Sequence, residues 1–311
     1  MEHKEFSRIY YFPFWRKQFF FHKNAGAYSV LLSFYHPYVF LAKVCWFSWV
    51  KIPFVKYLFS ANSRDLPISV QAFEEILGTT EKWVWVINKG SEGPFQKTTG
   101  LFINALRPTE KLFLKYGKSA EAISLIKNEI KVLQQLYDYE FASKIIQYKM
   151  DDDMAYFTST VFTAQKYSGE TMNTKLLDFI IKMNAIYPVA LNSYDGFYYG
   201  FGHGDFCPWN LLTDKENIIV VDWEMGGNYL IGHDLFTFVF QSSFLLHPNR
   251  TVEEIYSDNK IWFVLFFNHF AITNYSDYLV KFASVKVQDK TISGSKALLE
   301  KYKDLKKLNT V

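Results

Sequence analysis

The sequence predicts an α+β chain in which a mainly β segment precedes a mainly helical one, with an aromatic, basic extension in front of both. Three observations carry this. From Lys82 to Phe162, short β-branched and aromatic runs dominate, separated by turn residues, with one helical pattern among them. From Ser168 onward, apolar residues recur at helical spacing. Residues 1–60 hold 20 of the 60 aromatic residues, and eight Lys/Arg against two Glu, a net of +6 where the whole chain carries +3. The expected organisation is an extension over 1–78, a β-rich segment over 79–167 and a helical segment over 168–311.

In the extension, YYFPFWRKQFFF mixes aromatic with basic residues. The stretch over residues 28–50 is nearly long enough to span a bilayer, which takes ~20 apolar residues. His36-Pro37 and Lys43 interrupt it. Two readings stand: helices packed on the body of the protein, or an aromatic and cationic surface at a membrane interface. After the loop SANSRDLPIS comes a short helix, VQAFEEIL.

KWVWVIN reads as a first strand of the β segment and KGSEGP as a turn. QKTTGLFINAL and EKLFLKYG read as the second and third strands. Ser119 caps a helix to about Leu136, with Ile123, Ile126, Ile130 and Leu133 on one face. SKIIQYKM and AYFTSTVF are two more strands joined at Asp151-Asp152-Asp153. The helical segment opens with TKLLDFIIKMNAI. The aromatic insert LNSYDGFYYGFG, residues 191–202, leads to the loop HGDFCPWN. Short strands NLL and IIVVDW flank the turn TDKEN. IGHDLFTFVFQSSFLL starts another helix, IWFVLFFNHFAI reads as a buried helix, and SKALLEKYKDLKKL as an amphipathic, solvated one.

Composition narrows the function. Half the chain is apolar and 19% aromatic, which excludes general disorder. A net charge of +3 does not point to nucleic acid. Cys45 and Cys207 have no metal-type spacing and read as free thiols of a reducing compartment. The N-terminus lacks signal-peptide architecture, so a cytoplasmic chain is expected, with contact to the inner face of a membrane through residues 1–60 as an option.

The informative stretch is HGDFCPWNLL, residues 203–212, followed by VVDWE at 220–224. Phosphoryl transfer needs a carboxylate beside the attacking hydroxyl, oxygen ligands for Mg²⁺ and a cation on the nucleotide phosphates. Asp205 and Asn210 stand at the five-residue spacing of the protein-kinase catalytic loop, and Asp222 ends an apolar strand. A β segment, a helical segment and a polar loop early in the second is the arrangement of a kinase. HGDFCPWN…VVDWE resembles the aminoglycoside phosphotransferase and choline kinase family, relatives of the protein kinases, in layout over roughly 80–300 and in recognisable residues over about 203–236.

That resemblance implies a two-lobed protein-kinase-like fold, with an antiparallel sheet plus one helix in the N-lobe and a mostly helical C-lobe. It implies ATP and Mg²⁺ as cofactors and a small-molecule hydroxyl as acceptor. Carried over by position, Asp205 is the catalytic base and Asn210 and Asp222 are the Mg²⁺ ligands. His203 and Asp234 hold the loop in shape. Lys115 on the third strand, paired with Glu129 on the next helix, binds the nucleotide phosphates; Lys111 and Glu121 are the competing assignments. Gly90, Ser91 and Gly93 would form the nucleotide loop, although the turn lacks the full G-x-G-x-x-G pattern. GPFQKTTG approaches a phosphate-binding P-loop, but Gln96 replaces its glycine and a strand comes after it rather than a helix. Glu224 either assists a metal or bonds to backbone. Cys207 has no assigned base, and Pro208 and Trp209 are expected to stiffen and pack the loop.

The H-G-D-F-x-P-W-N form also resembles phosphotransferase-like proteins of envelope polysaccharide synthesis, which points to a sugar or glycan acceptor. Choline, ethanolamine and aminoglycosides are the other acceptors within the family. A reading from another class is a pseudokinase-like binding module docked at a membrane through residues 1–60. The complete set Lys115, Glu129, Asp205, Asn210 and Asp222 argues against it. Protein-kinase activity is weaker still, because no A-P-E segment or clear activation loop comes after Asp222.

Overall fold

The computed structural model describes residues 9–13, 17–34, 40–52, 55, 58–61, 65–78, 82–192, 194–289 and 295–308. The His36-Pro37 interruption and the centre of the loop over 60–69 lie outside them. Contacts divide the chain into two compact units, residues 1–137 with 143–162, and residues 138–142 with 163–311.

The first unit is built on one antiparallel sheet of eight strands. In chain order these are β1 (Ile9–Phe12), β2 (Phe19–His22), β3 (Ser60–Ala61), β4 (Trp83–Asn88), β5 (Thr98–Asn104), β6 (Lys111–Gly117), β7 (Ile145–Met150) and β8 (Ala155–Ser159). Their spatial order is β3-β1-β2-β4-β5-β6-β8-β7. Among the described residues, the helices α1 (Ser29–Leu32), α2 (Phe40–Lys51), α3 (Val70–Leu77) and α4 (Ala120–Gln135) accompany the sheet.

The all-helical extension is therefore corrected. Ile-Tyr-Tyr-Phe and Phe-Phe-Phe-His are strands, and β2 pairs with β4 through Phe20↔Ile87 and Phe21↔Val86. Aromatic residues fit a pleated surface when both of its faces are covered. Strand alternation sorts the side chains into two clusters. Trp83, Trp85 and Ile87 pack with Phe73 and Ile76 of α3. Val84 and Val86 pack with Phe12, Phe21, Leu31 and Trp49 of the extension. Trp49 lies 4.8 Å from the Phe21 ring and Trp46 lies 5.1 Å from Phe12, ring centre to ring centre. The extension thus supplies a layer on one face of the sheet, which is why WVWVI is buried on both faces.

Helix α4 starts where Ser119 accepts from the Ala122 amide at 3.2 Å. Its buried face carries Ile123, Ile126, Ile130 and Leu133, and Glu129 with them.

The second unit holds two three-stranded sheets. One is β10 (Ala190–Leu191), β11 (Tyr198–Gly202) and β14 (Gly227–Leu230). The other is β13 (Asn217–Val220), β12 (Leu211–Asp214) and β9 (Gln165–Lys166). Its helices are α5 (Thr174–Asn184), α6 (His233–Phe236), α7 (Ser242–Leu246), α8 (Val252–His269), α9 (Tyr275–Gln288) and α10 (Lys296–Lys307). A π-helical turn, Thr237–Gln241, joins α6 to α7. Phe236, Phe240, Phe263, Phe267, Phe282 and Tyr302 form the aromatic centre of this unit, all buried.

Two expectations are corrected here. The insert over 191–202 is not all loop: its last five residues are β11, paired to β14 through Tyr199↔Leu230 and Gly202↔Gly227. IWFVLFFNHFAI is not buried all round. It is the second half of α8, which begins at a Thr251–Glu254 capping box and leaves Ile261 and Leu265 about half exposed. Among the described residues, no helix is long and apolar enough to cross a membrane.

Candidate active site

The loop after β11 turns because Gly204 adopts φ +84°, a left-handed conformation that glycine adopts without steric cost. A Cβ there would lie 2.7 Å from the Met225 carbonyl oxygen and closer still to the Tyr229 hydroxyl. The His203 and Gly204 amides donate to the two oxygens of Asp234, at 2.7 and 2.9 Å. Asp234 is fully buried at the first turn of α6. Burial alone would raise its carboxyl, but the bonds from the His233 side chain and the His203 amide hold it below the usual range. His203 accepts from the Asp205 amide on Nδ1 at 3.2 Å. That leaves Nε2 to donate to the Val221 carbonyl at 3.0 Å, which defines a neutral tautomer. His203 and Asp234 therefore fix the loop from both ends, one through the end of β13 and the other through α6.

Asp205 sits at the centre of this frame. Asn210 Nδ2 donates to its carbonyl at 2.9 Å and to Oδ2 at 3.0 Å. Gln241 Nε2 donates to Oδ1 at 2.6 Å. Because Asn210 spends its amide hydrogens on Asp205, its Oδ1 is the atom suited to face a cation. Asn210 is also tied to the strand that delivers Asp222, since the Val221 amide donates to its carbonyl at 3.0 Å. Asp222 is exposed and left-handed at φ 69°, opening the 3-10 turn Trp223–Met225 that contains Glu224. An amide oxygen and a carboxylate are hard donors of the kind that Mg²⁺ or Ca²⁺ takes.

Cys207 lies inside the loop, fully buried, with Sγ 3.6 Å from Asp205 Oδ1. Burial, and then the Asp205 carboxylate, push its thiol far up, so it is no nucleophile. Pro208 is buried, but Trp209 is 43% exposed, which corrects the expectation that its ring packs the loop. Phe206 does that instead, stacked on Phe179 with ring centres 5.9 Å apart.

In the first unit, Lys115 of β6 donates from Nζ to Glu129 Oε2 at 2.6 Å, with both side chains at most 5% exposed. The competing Glu121 is exposed at the start of α4, and Lys111 is only part-buried at the start of β6. The turn between β4 and β5 closes on itself. Gly90 takes φ +76°, a Cβ there would collide with the Lys97 carbonyl oxygen, and its amide donates to Asn88 Oδ1 at 2.9 Å. Gln96 donates to the Lys89 carbonyl at 3.1 Å, so the residue that breaks the P-loop pattern is a turn closer. Ser91 is exposed and Gly93 has open space around it.

Residues 176–257 match the sequence profile of the phosphotransferase enzyme family. The span includes the loop, Asn210, Asp222 and Asp234. The matched span is 82 of the 311 residues. The chain also shares its fold with an amicoumacin kinase solved in complex with AMP-PNP, Ca2+ and Ami, at 10% identity and a TM-score of 0.51. That similarity covers 78% of this chain and 94% of the other. An aminoglycoside-3'-phosphotransferase of type VIII is similar at 14% identity and a TM-score of 0.38, over 60% of this chain and 95% of that one. No curated protein sequence matches the chain. The fold is protein-kinase-like.

Three residues of the site carry no motif: Gln241, Lys286 and Tyr302. Lys286 Nζ and Tyr302 Oη both reach Gln241 Oε1, at 3.3 and 3.2 Å. The available signal is Lys286, which comes after Tyr278 and Phe282 at four-residue steps on the buried face of α9.

Proposed function

We propose that this protein moves the γ-phosphoryl group of ATP onto a hydroxyl of a sugar or glycan, with Asp205 as base. Asp205 would take the hydroxyl proton as that oxygen bonds to phosphorus. The bond from phosphorus to the β–γ bridging oxygen breaks, and ADP leaves with that electron pair. Asn210 Oδ1 and the Asp222 carboxylate would hold Mg²⁺, which would supply charge neutralisation on the phosphates. Lys115, kept extended by Glu129, would bind phosphate oxygens, and Gly90, Ser91 and Gly93 would lie along them. His203 and Asp234 would keep the loop in place. The observation that carries this reading is the double grip on Asp205 by Asn210 and Gln241, with Asn210 joined to the Asp222 strand.

A sugar acceptor is supported by the aromatic stretch Tyr194–Tyr199. Tyr194 is 99% exposed, and the stretch is held by Tyr199 Oη donating to Asp195 at 2.8 Å and by Lys281 at 3.2 Å from the same carboxylate. Exposed aromatic faces stack on sugars as well as on cations. The test is transfer of labelled phosphate from ATP to a panel of hexoses, glycan fragments, choline, ethanolamine and aminoglycosides, by wild type and Asp205→Asn. Labelling of a sugar that Asp205→Asn loses supports the reading. Labelling of an amino alcohol instead overturns the acceptor class, and labelling retained by Asp205→Asn overturns the base.

The outward face of α2 supports peripheral contact with an anionic membrane. Ala42 and Trp49 face inward, while Phe40, Leu41, Val44 and Phe47 are exposed on the other side. Lys43 and Lys51 are exposed with them, and α2 contains no acidic residue. Apolar side chains flanked by lysines match an interface of apolar tails and anionic headgroups. Co-sedimentation with phosphatidylserine vesicles should fall on Phe40→Ser with Phe47→Ser, and fall with added salt. Equal sedimentation by both proteins would overturn it.

A further inference from the structure

We infer that Gln241 is a positioning residue for Asp205, and that Lys286 and Tyr302 act by fixing Gln241. The inference rests on the reading of Asp205 as base. Asp205 has a rotatable carboxylate. Asn210 restrains Oδ2, and the Cys207 thiol, a weak donor, lies 3.6 Å from Oδ1. Gln241 adds a strong donor on Oδ1, at 2.6 Å.

The side-chain amide can do this only if its hydrogens face Asp205. An amide reversed end for end would set its oxygen against a carboxylate oxygen. Two donors prevent that. Lys286 Nζ carries hydrogens and donates to Gln241 Oε1 at 3.3 Å. Tyr302, fully buried, donates to the same Oε1. With Oε1 claimed on one side, Nε2 has to point to the other. The chain of bonds draws on three separate helical elements: Tyr302 from α10, Lys286 from α9, and Gln241 from the turn between α6 and α7.

The backbone beneath Gln241 agrees. It is the last residue of the π-helical turn Thr237–Gln241 inside an otherwise continuous α6–α7. A π turn weakens local hydrogen bonding and rotates the next turn around the helix axis, and such turns concentrate at functional sites. Here the rotation brings a neutral amide to a carboxylate. A neutral donor restrains Asp205 without handing it a full positive charge, so two pinned oxygens still offer lone pairs to a hydroxyl.

The test uses the full chain and Mg-ATP alone, reading slow hydrolysis to water. Gln241→Met keeps the volume and removes the donor. It should lower kcat by about tenfold or more, with KM for Mg-ATP unchanged, because misoriented reacting groups cost rate rather than nucleotide binding. Tyr302→Phe should lower kcat by a smaller factor, about two- to fivefold, since Lys286 still holds Oε1. In a Gln241→Met background, Tyr302→Phe should add nothing, a result that a purely structural tyrosine would not give. Asp205→Asn is the control. If it hydrolyses ATP like wild type, the base assignment falls. If it is inactive while Gln241→Met keeps the wild-type kcat, the Gln241 inference alone falls. The bond is also read without turnover, as the ¹⁵N signal of the Gln241 side-chain amide. Asp205→Ala and Tyr302→Phe should each displace that signal, and a signal unmoved by both overturns the inference.

Discussion

Two buried charged centres are held in opposite ways. In the first unit, Lys115 and Glu129 face each other directly, 2.6 Å apart. In the second, Asp205 and Asp234 meet backbone amides and neutral side-chain amides from several elements. Removing one member of a buried ion pair leaves the other charge in a dry interior without its counter-charge. A distributed cage loses one bond at a time. The pair suits a cation that must stay extended until it meets a ligand, whereas the cage suits a carboxylate whose direction matters more than its charge.

The largest effect should come from the reacting atom of the cage. Asp205→Asn keeps the shape and removes the proposed base, so transfer should fall about 10²–10⁴-fold in steady-state assays while nucleotide binding persists. The pair should break next. Lys115→Met leaves Glu129 buried without its ion partner and should cost about 3–5 kcal/mol of stability by chemical denaturation. Replacing both, with Lys115→Met and Glu129→Leu, should recover much of that loss. If the single and double variants are equally stable, the pair is not dry.

Asp234 sharpens the contrast through pH. Its carboxyl is held below the usual range in the folded chain. Its contribution is therefore complete above the ordinary unfolded value, near ~4, and is lost as pH falls through the lower folded value. Melting temperatures below about pH 5 should drop less steeply for Asp234→Asn, from a lower starting point. The smallest effect is local: Ser119→Ala removes one cap bond of α4 and should cost about 1 kcal/mol.

Much of this was legible in the sequence, for reasons of range. The strands over 83–117 and helix α4 come from alternation, helical spacing and a serine cap, all of which act over a few residues. The candidate catalytic loop was legible because the chemistry proposed for it fixes the distance from Asp205 to Asn210. The β1–β2 hairpin was not. Phe19–His22 becomes a strand by pairing with Ile9–Phe12 and with Trp83–Asn88, the latter some sixty residues away, and an aromatic run has no period that distinguishes helix from doubly covered strand. Gln241 was not legible either. Its meaning depends on a π turn and on donors from α9 and α10, and no spacing rule connects residues 205, 241, 286 and 302. Lys286 alone left a trace, as a lysine among the buried positions of its helix.

The most direct measurement is thermal stability with and without Mg-ATP, for wild type and Asp222→Asn. At about 100 times its dissociation constant, a ligand that binds only the folded chain adds ~2.7 kcal/mol. The account predicts a magnesium-dependent rise in the wild-type melting temperature that Asp222→Asn loses. No rise in wild type, or the same rise in both proteins, would contradict it.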